Sequence, residues 1–183
     1  MPYTIETHRH TYAAWAASRA SSAATTCRFE VKVGKELLEG IGFGNKIVSA
    51  DNLPSPQTVD KVHKKWREDI CKASKKKKNK KGSTPKFTHG IAAKLINMYV
   101  KSVFVCGPHF DHDRVKAFHP PIDSLLLEEL ARNDPDLQRR KIWTAYKWTK
   151  MTSPQYEEVI GAVKDMMGDC PLWEIEEYWP GNR

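Results

Sequence analysis

Two side chains in this 183-residue sequence have the types and settings to act together on a substrate: the amine of Lys94 and the carboxylate of Asp123. Lys94 lies in Phe87–Cys106, FTHGIAAKLINMYVKSVFVC, the longest apolar-rich stretch without a proline. On a helix, Ile91, Leu95, Met98, Tyr99 and Val105 fall on one side, while Ile96, Val100, Val103 and Phe104 cover others. A helix apolar nearly all round belongs at the centre of a core. One polar stripe survives, Lys94, Asn97 and Lys101, spaced to share a face. A lysine in such a helix either snorkels outward along its methylene stem or lines a cleft. Asp123 closes His119–Asp123, HPPID, directly ahead of the helical pattern SLLLEELA. Proline suits the first turn of a helix, and a carboxylate there caps free N–H groups.

Other clusters point to less. Cys106, His109, His112 and His119, with Asp111 and Asp113, raise the question of a metal. Cys-x2-His-x2-His is not a standard zinc spacing, and Pro108 breaks any single helical face. No metal site and no cofactor are expected. Gly40–Lys46, GIGFGNK, has the wrong spacing for a phosphate-binding loop and reads as a helix end followed by a turn. Trp15 and Arg19 lie one turn apart and could stack, although the plainer expectation packs Trp15 into the core and leaves Arg19 exposed.

The elements that must position these residues are helical. Glu6–Ala24 is alanine-rich with helical spacing. Arg28–Val33 alternates like a strand, but Val31–Glu39 runs on as a helix that closes on glycine. Asp51–Gln57, with two prolines, is a loop. Gln57–Ala73 repeats Val59, Val62, Trp66 and Ile70 as an amphipathic helix. After Asp123 the spacing predicts a helix, a turn at Asp134–Arg140, and helices over Lys141–Met151, Ser153–Met167 and Pro171–Trp179. About eight helices around a buried central one, with no sheet, make an all-α fold in a single domain over residues 1–183.

The net charge of +8 is local. Lys72–Lys86 holds eight lysines and no acid, and the rest of the chain balances to zero. Such a block reads as a flexible loop that either only solubilises the protein or grips a phosphate backbone without reading sequence. No run of 18 apolar residues exists, and the N-terminus lacks the pattern of a secretion signal. Cys27, Cys71, Cys106 and Cys170 are far apart and read as reduced thiols. A cytoplasmic monomer with no membrane association is expected.

The two segments together resemble the helix-hairpin-helix DNA glycosylase superfamily, with spacing closest to its archaeal 8-oxoguanine glycosylase branch. In that family a G-V-G-x-K segment opens a helix and supplies a nucleophilic lysine, and a later Pro-(Val/Ile)-Asp places an aspartate at a helix N-terminus. Here Gly90 matches the first glycine, Ala92 stands in place of the second, and Lys94 and Asp123 match the lysine and aspartate. The likeness covers Phe87–Leu130; Thr88-His89 replaces the usual Leu-Pro, and the four-cysteine iron–sulfur cluster of some members is absent.

The resemblance implies an all-α enzyme that flips a damaged or modified base from double-stranded DNA and excises it, in repair or in defence against phage with modified DNA. Lys94 would attack the sugar C1′ and Asp123 would stabilise the cationic sugar. Asn97 and His119, with Trp15 and Arg19, would contact the substrate, while His89, Gly90, Ile91 and Lys101 would hold the DNA backbone. Two other readings stay open: a non-catalytic helical nucleic-acid-binding protein, and a metal-dependent nuclease built on His109, His112, His119 and Asp111 or Asp113.

Overall fold

The computed structural model describes residues 3–22, 27–79 and 82–182. Its helices are α1 (Ile5–Ser21), α2 (Val31–Gly40), α3 (Val59–Ser74), α4 (His89–Val100), α5 (Asp113–Lys116), α6 (Ser124–Asn133), α7 (Leu137–Ala145) and α8 (Ser153–Met167). Among the described residues there is no strand, only one isolated bridge between Phe43 and Ile47, so the fold is all-α as the periodicities predict.

The fold is organised around α4, which continues without a break into a π-helical turn, Lys101–Val105. All its residues but His89 and Met98 are buried. Fully buried Ile91, Leu95 and Ile96 each contribute about 1.5–3 kcal/mol by leaving water. Helix α1 lies along α4 through Ala13, Ala14 and Ala17, whose small side chains permit a close approach. The expected continuation of α1 to Ala24 runs outside the described residues.

The start of α4 is fixed from two directions. Thr88 caps it, its hydroxyl accepting the Ile91 N–H at 3.3 Å and donating to the Thr149 carbonyl at 3.1 Å. Gly90 must lack a side chain, because a Cβ there would stand 1.8 Å from the Trp148 carbonyl oxygen.

Several boundaries depart from expectation, each for a local reason. Pro120 and Pro121 lie in extended chain ahead of the Asp123 cap rather than in the first turn of α6. Helix α7 begins at Leu137, not Lys141, because the Asp136 carboxylate accepts the N–H groups of Gln138 and Arg139 at 2.7 and 3.0 Å. It stops at Ala145, and a separate 3-10 turn, Trp148–Lys150, completes the stretch. The short α5 was unmarked by periodicity and is capped by the His112 ring. The lysine-rich segment opens as the last turn of α3, and Lys77 then pairs with Glu36 at 2.5 Å, so its start is not a free loop. Lys80 and Lys81 lie outside the described residues.

The α6–α7 corner rests on Asp134. Its buried carboxylate accepts from the Arg139 guanidinium at 2.9 Å through both oxygens and from the Trp143 indole N–H at 2.8 Å. Burial pushes this carboxyl upward, but Arg139, the Asp136 N–H and Trp143 outweigh it and hold it at about 2.

Asp134→Ala is expected to cost about 2–4 kcal/mol in chemical denaturation, because it leaves the buried Trp143 indole N–H and the Arg139 Nε and Nη2 without their acceptor, while Asp165 keeps Nη1. A folded pKa below the ordinary 3.8 means that this stabilisation is complete above about pH 4 and is lost as pH falls toward 2. A denaturation series across that range checks the sign. Gly90→Ala is expected to cost about 3 kcal/mol by overpacking against backbone, measured the same way.

Candidate active site

Lys94 and Asp123 meet. The Lys94 ammonium donates to Asp123 Oδ2 at 2.9 Å, and their side chains keep only 9% and 17% of their surface. The helix geometry that delivers each group is independent. Lys94 sits in the second turn of α4, held at depth by the burial of that helix. Asp123 is the N-cap of α6, and its Oδ1 accepts the Leu126 N–H at 3.0 Å. One carboxylate oxygen thus serves the helix and the other serves the amine. The Trp148 ring lies over the ammonium, 4.6 Å from Nζ to centroid, a cation–π contact worth about 0.5–2 kcal/mol. A secluded ion pair adds little net stability against an apolar replacement.

Beside the pair opens a cleft of about 690 Å³. Ser124, next to the cap, and Trp148, over the amine, form part of its wall, with Trp143 and Tyr146. Arg132, Arg140 and Lys147 outnumber Glu128 on its lining. Lys94 and Asp123 do not line it themselves. The cleft supplies aromatic faces and positive charge next to a secluded amine and carboxylate.

Asn97 and His119 belong to one buried hydrogen-bonded network. Asn97 is buried and uses both amide hydrogens, one to the Pro120 carbonyl at 2.8 Å and one to the Tyr156 hydroxyl at 3.0 Å. Its oxygen accepts from His63 Nε2 at 2.8 Å. His119 reaches Asp60 through Nε2 at 2.8 Å and the Tyr156 hydroxyl through Nδ1 at 3.2 Å. Donor counting fixes the protons. Ionised Asp60 only accepts, so His119 carries hydrogen on Nε2, and its Nδ1 accepts from Tyr156. Tyr156 accepts from Asn97, and His63 is left with a bare, unpartnered Nδ1. Burial keeps both imidazoles below the ordinary histidine range, and His119 holds Asp60 well below the ordinary carboxylate range. Neither Asn97 nor His119 faces the aromatic cleft, contrary to the expectation that they contact substrate there.

The groups expected to hold DNA phosphates have partners within the chain or lie enclosed. The Gly90 N–H points at the Met151 carbonyl, at 3.4 Å, and the Ile91 N–H is taken by Thr88. Both residues are buried, and residues 75–88 separate α3 from α4. His89 is half-buried with its Nδ1 enclosed and unpartnered. Lys101 pairs with Glu176 and lies 5.5 Å from the Trp179 ring, so its charge is already committed. Trp15 is 49% exposed rather than in the core, with Tyr12 as its ring neighbour, and Arg19 is exposed on the same helix; neither reaches the pair. The histidine–aspartate loop does not converge: His112 caps α5 and pairs with Asp51, while His119 turns to Asp60. Among the described residues no three metal-ligating side chains come together.

Trp148, Asp60, His63, Arg67 and Tyr156 were not picked out by sequence reasoning. A signal existed for two of them: His63 and Arg67 fall on the same α3 face as Val59, Ile70 and Ser74, and that face is the buried one.

Both network histidines have folded pKa values below the ordinary 6.5, so the unfolded chain takes up the protons. Stability is therefore expected to be flat above about pH 6.5. Below it, stability falls by about 1.4 kcal/mol per pH unit for each histidine. Urea titrations from pH 7.5 to 5.5 check this, and His63→Gln should flatten the slope.

No family model matches the chain, and neither a curated protein nor a solved structure does so.

Proposed function

We propose that this protein is a DNA N-glycosylase in which Lys94 and Asp123 act at the sugar C1′ of an extruded nucleotide. The observation that carries this reading is the 2.9 Å contact between a buried amine and a helix-capping carboxylate that lie far apart in the chain. The adjoining cleft adds support, since half-buried Tyr146 beside Trp148 gives it an aromatic wall for a base outside the duplex. Damaged or modified bases, which unstack at least cost, are the substrates that fit.

The chemistry follows from the pair. The Lys94 ammonium gives up a proton to water, Asp123 stays ionised beside it, and the free amine attacks C1′. The N-glycosidic bond breaks, its electron pair leaves with the base, and the base takes up a proton. While the bond breaks, positive charge gathers on the sugar, and the Asp123 carboxylate stabilises it. The secondary amine opens the sugar ring to a Schiff base, from which the 3′ phosphate can be eliminated to nick the strand. Arg132, Arg140 and Lys147 around the cleft, with the lysine-rich segment, supply sequence-independent attraction to phosphates that falls with salt.

The expectation is tested with a panel of damaged and modified duplexes, incubated in chelator, treated with alkali and resolved on a gel. Lys94→Ala should abolish borohydride-trapped protein–DNA adduct. Asp123→Asn keeps a good N-cap, so the fold should survive while base release slows about 100-fold or more. A Lys94→Ala protein that still yields adduct removes the lysine from its role. Binding without base release from any duplex leaves a non-catalytic nucleic-acid-binding protein instead.

A further inference from the structure

On another side of the molecule, α3 and α8 enclose a second cavity of about 390 Å³, within the range of small-ligand pockets. Lys61, Lys64, Arg67 and Lys164 line it against two acids, Asp60 and Glu157, so its wall carries a net positive charge. Three features of this cavity bear on what it could hold.

The first is Arg67. Its side chain is 1% exposed, stacked on the Tyr156 ring at 4.3 Å, and only Nη2 has a partner, Glu157 at 3.2 Å. Nε and Nη1 are enclosed with no acceptor. The donor that faces the cavity is Nη2, and an acceptor that takes the place of Glu157 would pair with it there.

The second is the arrangement of the acids. Glu157 accepts from Lys64 at 3.2 Å and from Arg67, and Asp60 accepts from Lys164 at 2.6 Å and from His119. Glu157 is 41% exposed and also accepts from the Ser153 hydroxyl at 2.7 Å, and its carboxylate occupies the Arg67–Lys64 position as an internal anion would.

The third is Gly161, in the interior of α8. Glycine there weakens a helix, yet a Cβ at this position would meet nothing within 4 Å. Packing within the chain does not require it. The bare backbone, beside Ile160, leaves a flat wall on the cavity.

We propose that this cavity binds the phosphate of a nucleotide-sized ligand, with Arg67, Lys64 and Lys164 on the phosphate and the Ile160–Gly161 wall against the flat remainder. Arginine's planar fork matches phosphate oxygens, and the two lysines add charge without fixed geometry. The phosphate displaces the Glu157 carboxylate from Arg67. The site stands apart from Lys94 and Asp123, and binding here does not depend on glycosylase activity.

Calorimetric titration of the full chain with inorganic phosphate, a deoxynucleoside 5′-monophosphate and a short undamaged duplex tests the proposal and separates its sources. Saturable binding of the mononucleotide, with phosphate weaker, identifies a free nucleotide as ligand; saturable binding of the duplex alone identifies a strand phosphate. In either case Gly161→Leu, which removes a helix-weakening glycine into open space, should keep or raise the melting temperature and weaken binding at least 10-fold. Lys64→Gln should weaken it several-fold, and Glu157→Gln should tighten it by removing the competing carboxylate. Absence of binding to all three probes overturns the proposal. So does a folded Gly161→Leu protein that binds as the parent does, or a Glu157→Gln protein that binds more weakly.

Discussion

The structure turns on one constraint: a helix buried on every side carries three polar residues that cannot be left unpaired. Lys94 and Asn97 project along one face of α4 into a core where an isolated charge or amide costs several kcal/mol, and half-buried Lys101 follows on the same face in the π-helical turn. Each is answered by chain that arrives much later. Asp123 answers Lys94, the Pro120 carbonyl and Tyr156 answer Asn97, and Glu176 answers Lys101. Those demands fix where the His119–Asp123 strap and the 3-10 helix Leu172–Tyr178, which carries Glu176, must lie. The topology of the second half follows from that single stripe.

The strap divides the molecule into two chemically distinct neighbourhoods. One end, at Asp123, meets an amine under an indole beside an aromatic cleft. The other, at His119, meets an aspartate and a tyrosine beside a cationic cavity. Between them Asn97 ties the strap to α4 and the imidazoles to each other. Proline at 120 and 121 removes two backbone N–H groups that this crowded setting would have to satisfy, and it stiffens the link.

Much of this was legible in the residues, and the limits are physical. The apolar run of Phe87–Cys106 announces a central helix, and Asp123 ahead of an apolar repeat announces a cap, because both depend on local periodicity and local hydrogen bonds. That Lys94 and Asp123 belong together came from a resemblance and not from spacing. Partners for Asn97 and His119 were not legible, since His63, Tyr156 and Asp60 lie 34 to 59 residues away and reach them only through packing. A polar residue on a buried face can be recognised from its stripe, but its partner is set by tertiary structure. Helix α7 was misplaced by four residues because Asp136 caps it, and Asp134, a stronger-looking turn former beside Pro135, served the α6–α7 corner instead.

The place where α4 touches Trp148 has a wider meaning. With only a hydrogen atom at Gly90, the indole segment closes down until carbonyl and helix nearly abut. That short separation is what lets the ring roof the Lys94 ammonium. How dry the amine stays is thus governed by a residue with no functional group of its own, acting as a spacer of zero thickness between two walls.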